Sequence, residues 1–201
     1  GVITTEGLNG ATPMGFSSHA DARGMTKELL ETAVESSNVD LFASSVVDSK
    51  YNSTFKKAGY KKVDIVDDIS ETPAKKVFGS YIIPADYESM QAEGAYAAFD
   101  RLVTEALEFL SKDEDGFFLM AEGSHIDHGG HNNDFHYMLE ELLAFDDAVK
   151  AVLEWAKDRD DTVVIVTADH GTGGIKPDGD GWKFTHGTHN INDVPVYVFA
   201  K

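Results

Sequence analysis

Apolar positions along the chain switch between helical spacing and short continuous runs, and the switching predicts alternating helices and strands. Residues 24–34 (GMTKELLETAV) place Met25, Leu29, Leu30 and Val34 near helical spacing. Short apolar runs at 39–47 and 63–66 predict strands, with a helix over 52–58 between them. Residues 71–90 hold two prolines and no sustained period, and are expected to form a loop or insertion. An amphipathic helix over 95–110 follows through Phe99, Leu102, Val103, Ala106, Leu107 and Leu110. Then come an apolar strand at 117–121, a long helix over 135–156, and a strand at 162–167 (TVVIVT). A glycine-rich loop over 171–181 and a last strand at 194–200 complete the pattern. The opening residues 1–5 resemble the end of a strand.

Continuously apolar strands alternating with long helices imply a sheet buried on both faces, mostly parallel, in an α/β fold. No internal repeat or low-complexity linker interrupts residues 1–201, so a single domain is the default expectation. The terminal strand with no element before it suggests a piece of something larger. In such sheets functional groups collect beyond the carboxyl ends of the strands. Glu122 follows one apolar run there, and Asp169-His170 follows another.

Composition narrows the classes of function. Hydrophobic residues make up 42% and charged residues 26%, which reads as globular rather than disordered. The net charge of −18 comes from 35 acidic against 17 basic residues, with no basic patch to displace counterions from nucleic acid. The acidity reads first as solubility and second as an affinity for hard cations. No apolar run approaches the roughly 18 residues of a membrane span, and no targeting segment is visible. The absence of cysteine excludes thiolate zinc sites, thiol nucleophiles and disulfides.

The densest chemistry lies at residues 122–131, EGSHIDHGGH, and seven of the eight histidines fall between His125 and His189. If a helix begins after the strand, Asp127 and His131 share one face at i and i+4, which suits a zinc ion. Asp169-His170, and His189 after the glycine-rich loop, can reach the same pocket, with Glu122 adding an oxygen. The set suffices for two zinc ions and one harder, oxygen-bound ion such as magnesium; paired zinc ions about 4 Å apart suit phosphoryl transfer. Bland readings stand beside this one. An isolated Asp-His after a strand is usually a turn pair, and His136 and His186 read as surface residues. His125 and His128 cannot both face inward, and His128 is read as a supporting group. The glycine-rich loop lacks the GxxxxGK phosphate cradle.

EGSHIDHGGH, the later TADHG at 167–171, and a histidine ahead of Asp-Val-Pro-Val together resemble the alkaline phosphatase family. Ala11-Thr12-Pro13, His19 and Arg23 resemble that family's A-T-P…H…R segment. The resemblance implies a three-layer α/β/α sandwich. It implies that Asp127, His131 and His189 bind a first zinc, with His189 preferred over His186. Asp169 and His170 would serve a second zinc, and Glu122 and Thr12 a magnesium ion. Arg23 would grip phosphate oxygens, a task suited to a guanidinium, with His128 contributing to substrate binding. The implied reaction is hydrolysis of phosphate monoesters: a serine attacks phosphorus, and a zinc-activated water hydrolyses the phosphoserine.

Departures accompany the likeness. The family's serine stands in an Asp-Ser-Ala context upstream of A-T-P, whereas the sole Asp-Ser here, Asp48-Ser49, lies downstream and continues into Lys50-Tyr51. Gly10 stands where relatives place an Asp or His beside the magnesium ion. The expectation is therefore a truncated phosphatase, nearly inactive by itself, whose parent releases inorganic phosphate and is exported and homodimeric. A phosphodiesterase or phosphoglycerate mutase of the same superfamily, or a non-catalytic metal-binding module, are the alternatives.

Overall fold

Val2 and Ile3 are adjacent, so their side chains leave opposite faces of a strand, and both are buried. That strand, β1 (Val2–Gly7), must therefore lie inside a sheet covered on both sides. The computed structural model describes residues 1–22, 24–36, 38–46, 49–81, 83 and 97–201. It divides into two compact units, Gly1–Glu122 and Gly123–Lys201.

In the first unit β1 leads through α1 (Ala11–Gly15) and α2 (Thr26–Ser36) to β2 (Leu41–Val46). There follow a 3-10 turn, α3 (Asn52–Lys57), β3 (Lys61–Lys62), α4 (Asp68–Glu71), β4 (Val77–Ser80), α5 (Phe99–Leu110) and β5 (Met120–Glu122). The five strands form one sheet in the order β3-β4-β2-β1-β5, parallel throughout. Helices flank it, as an α/β sandwich requires. One core gathers Val2, Phe42, Phe78 and Met120 from the sheet with Leu29, Leu30, Ala33 and Val34 of α2. Phe55 of α3 stacks on Phe78 at 4.4 Å between centroids and meets Phe42 and Tyr60 edge-on at 5.7 and 5.6 Å. On α5, Glu105 is buried but satisfied: Arg101 lies at 2.7 Å and the Ser70 amide donates at 3.1 Å.

Three segments of the first unit differ from the sequence expectation. Within 71–90, read as a loop, the structure has β4, a buried strand between β2 and β3; four residues including Gly79 are too few to show a period. Residues 82 and 84–90 of that stretch, and 95–96 of the expected helix, lie outside the described residues. The strand expected at 63–66 is instead Lys61–Lys62, although Val63 and Val66 are buried beyond it. The strand expected at 117–121 starts later, at Met120, because Met120 pairs with Val2 and Glu122 with Thr4. Phe118 is left exposed, stacked on Phe16 at 5.4 Å.

The second unit opens with α6 (His125–Asn132), a left-handed Asn133 (φ 54°) and α7 (Phe135–Ala156). Asp134 caps α7, accepting from the Tyr137 amide at 3.1 Å. The two helices pack closely because α6 has no side chain at Gly129, where a Cβ would lie 2.6 Å from Met138 Cα. Three antiparallel ladders follow. β6 (Val163–Thr167) pairs with β11 (Val196–Ala200), β7 (Gly171–Thr172) with β10 (His189–Asn190), and β8 (Lys176–Asp178) with β9 (Gly181–Lys183). The expected glycine-rich loop thus contains β7 and β8.

Candidate metal centre

α6 carries its functional side chains on a single face. Asp127 sits in its first turn, where the helix dipole favours a carboxylate. His131 is one helical turn on, with Nε2 3.3 Å from Asp127 Oδ2. The β7–β10 ladder delivers His189, whose Nε2 lies 3.0 Å from His131 Nε2 and 3.7 Å from Asp127 Oδ1. All three donor atoms fall within 4.8 Å of one another.

These distances fit a metal. Two donors about 2.05 Å from a tetrahedral zinc ion stand about 3.3 Å apart, inside the observed spread. The tautomer fits as well. His131 Nδ1 is 2.9 Å from the Gly187 carbonyl oxygen, which can only accept, so Nδ1 bears the proton and Nε2 presents a lone pair to the cluster. A carboxylate oxygen and an imidazole lone pair facing one point suit a divalent cation.

Asp169 and His170 follow β6 directly. The His170 amide donates to Asp169 Oδ1 at 3.0 Å, and His170 Nε2 lies 3.2 Å from Asp169 Oδ2. The His170 ring stacks on His189 at 3.6 Å between centroids. One residue that the sequence reading passed over joins the pairs. The Thr172 hydroxyl donates to Asp127 Oδ1 and lies 3.2 Å from His170 Nδ1. Gly130 permits this approach, since a Cβ there would stand 3.0 Å from Thr172 Cβ. No motif marks a threonine for this role; only the register of β7 does.

Other histidines of the second unit make different contacts. His125 Nδ1 is 3.5 Å from Glu141 Oε1, a buried carboxylate of α7, and its ring is 5.0 Å from that of His128. Burial, and then the Glu141 charge, push the neighbouring Tyr137 phenol above its ordinary range. His186 Nδ1 accepts from the Thr188 amide at 3.3 Å within a turn, and His136 pairs with Glu140 on the exposed side of α7.

In the first unit Glu122 ends β5, where the buried Thr4 hydroxyl donates to its Oε2 at 2.6 Å. Thr12 lies in α1, whose N-cap is Gly10, with no capping side chain. The space beside Gly10 is taken: a Cβ built there would overlap the Glu6 carboxylate, 3.0 Å from Glu6 Cδ and 3.3 Å from the Gly7 carbonyl oxygen. Carboxylate and hydroxyl oxygens without nitrogen or sulfur suit a hard cation such as magnesium. Arg23 lies outside the described residues.

A five-stranded parallel sheet flanked by helices makes the first unit an α/β fold, and the second unit gathers a carboxylate and two imidazoles at distances that could hold a divalent cation. The chain belongs to the alkaline phosphatase family, whose model matches residues 50–200. It is 32% identical over 192 residues to alkaline phosphatase 3 of Bacillus subtilis, covering 90% of this chain and 42% of that one. A local match to the repressible alkaline phosphatase of Saccharomyces cerevisiae reaches 55% over 65 residues, 32% of this chain and 12% of the yeast protein. Among solved structures, the alkaline phosphatase of the Antarctic bacterium TAB5 superposes with a TM-score of 0.81 at 29% identity. That match covers 99% of this chain and 64% of the TAB5 chain. A variant of the TAB5 enzyme, described with Mg bound in its M3 site, matches equally well at 28% identity. The chain thus spans about two-fifths of the length of the Bacillus relative that it matches over most of its own.

Proposed function

We propose that this chain is the metal- and phosphate-binding part of a zinc- and magnesium-dependent phosphomonoesterase. The observation that carries the reading is the convergence of Asp127, His131 and His189 donors within 4.8 Å in a chain of this family. The Asp127 carboxylate and the His131 and His189 imidazoles would hold one zinc, and Asp169 and His170 would contribute to a second. Glu122 and Thr12 would serve magnesium. Bound divalent ions supply Lewis-acid polarisation of the phosphoryl oxygens and lower the pKa of water. Phosphate binding would fall to Arg23, whose guanidinium suits a bidentate grip on two oxygens, and to His128.

The nucleophile is the missing piece. Asp48-Ser49 runs on into Lys50 rather than Ala, so no serine here has the family's Asp-Ser-Ala context, and none is assigned the phosphoserine step. The names of the relatives favour a monoesterase over a phosphodiesterase or mutase. An exported, homodimeric parent is part of the same proposal.

Zinc titration of the chain against a chromophoric chelator, followed by p-nitrophenyl phosphate turnover at alkaline pH, tests the reading. Expected are tight zinc binding, lost in Asp127→Ala and His131→Ala, and negligible turnover by the chain alone. Zinc affinity indifferent to both substitutions would overturn the metal assignment. Strong turnover would overturn the absent nucleophile.

A further inference from the structure

Thr172 meets the proposed ligands of two different metal ions through one oxygen atom: its hydroxyl donates to Asp127 Oδ1 and lies 3.2 Å from His170 Nδ1. We propose that Thr172 is the positioning residue that sets the His170 tautomer, holding the imidazole proton on Nδ1 so that Nε2 is left open to a cation beside Asp169. The proposal rests on the reading of Asp127, Asp169 and His170 as metal ligands.

A threonine hydroxyl has one proton to give and two lone pairs. The Asp127 carboxylate can only accept, so that proton is committed to it in a charge-assisted bond. Toward His170 the same oxygen can then only accept, and Nδ1 has to carry the ring proton; otherwise two lone pairs would face each other at 3.2 Å. A neutral imidazole has no second proton, so Nε2 keeps its lone pair. Nε2 lies 3.2 Å from Asp169 Oδ2, while Asp169 Oδ1 already accepts from the His170 amide at 3.0 Å. Two acceptors at that separation match two ligands of one tetrahedral zinc ion, which stand about 3.3 Å apart. The surroundings aim the hydroxyl. Thr172 sits opposite His189 in the β7–β10 ladder, and its methyl lies against α6, where a Cβ on Gly130 would come within 3.1 Å of Thr172 Cγ2. A β-branched side chain held there has little freedom at χ1. One hydroxyl thus serves a ligand on α6 and a ligand that follows β6.

Long-range proton–nitrogen NMR of the full, metal-free chain at mildly alkaline pH reads the tautomer without recourse to activity, the His170 signals being assigned by their loss in His170→Gln. Expected is the proton on Nδ1 in the unaltered chain. Thr172→Val is nearly isosteric and removes the acceptor, so the proton should move to Nε2, facing Asp169, with far-ultraviolet circular dichroism unchanged. In chelator competition, the zinc equivalent that His170→Gln removes should weaken at least about tenfold in Thr172→Val. Thr172→Ser returns the hydroxyl without the methyl and should recover the tautomer and most of the affinity; a role confined to packing predicts no such rescue. An Nε2-protonated His170 in the unaltered chain, or a tautomer indifferent to Thr172→Val, overturns the Thr172 assignment alone. Zinc binding indifferent to both His170→Gln and Asp127→Ala overturns the metal reading, and the positioning role with it.

Discussion

The two units use apolar strands differently. In the first, Leu41 is 0% exposed and Val77 1%, enclosed by the helices flanking a five-stranded sheet. In the second, Val163, Ile165, Val196 and Val198 are each 62–63% exposed on a two-stranded ladder. The strands look alike in sequence, yet one set makes a core and the other does not. The first unit is held by buried area, which stabilises at about 25 cal/mol per Å². The second has hydrogen bonds, close glycine contacts and a cluster of ligand-type groups at distances that suit a cation. With zinc bound there as proposed, its folding should be linked to zinc.

The largest expected effect falls on the core side of this comparison. Phe55 is fully buried against Phe78, Phe42 and Tyr60, so Phe55→Ala should cost about 3–5 kcal/mol of stability through lost transfer energy and a residual cavity. Urea unfolding followed by circular dichroism measures it. A cost below about 1 kcal/mol would mean that the first unit is not organised by this core.

Next in size is the Thr172 hydroxyl, which links Asp127 to His170. Thr172→Val keeps the shape and removes the donor, and should weaken zinc about 10–100-fold, as changes to groups supporting metal ligands do. Magnesium affinity should not move. Thr4→Val is the counterpart in the first unit, since Thr4 donates to Glu122; it should weaken magnesium and spare zinc. Chelator competition for zinc and calorimetry for magnesium read the two separately, and crossed effects would break the distinction between the sites.

Much of this was legible in the sequence, for reasons that differ by residue. The helix over 135–156 was readable to its ends because its long apolar period runs without proline and Asp134 precedes it as a cap. The proximity of Asp127 and His131 was readable because a helix fixes the distance between i and i+4. β4 was hidden because four residues cannot display a period beside Pro73 and Gly79. Thr172 was hidden for another reason. It meets Asp127 and His170 through the register of β7, and that leaves no mark on local composition. The exposure of the β6–β11 ladder was out of reach as well, because an apolar run states what a strand can bury but not what lies against it.

That ladder gives the smallest effect and the sharpest contrast with the core. Along β6, Val164 and Val166 are half-buried while Val163 and Ile165 are exposed, so the strand has one sheltered face and one open face. Ile165 lies opposite Val198, and its stabilising contribution comes from that cross-strand pair and from β-propensity, together worth roughly 1 kcal/mol or less. Ile165→Ala should therefore cost less than about 1 kcal/mol, a fraction of the Phe55→Ala cost even after allowing for the smaller side chain. Ile165→Thr, which keeps β-branching, should be closer still to neutral. Urea midpoints for the two variants decide the matter. A loss of 2 kcal/mol or more at Ile165 would show that the open face is covered in solution, and the two units would then differ in degree rather than in kind.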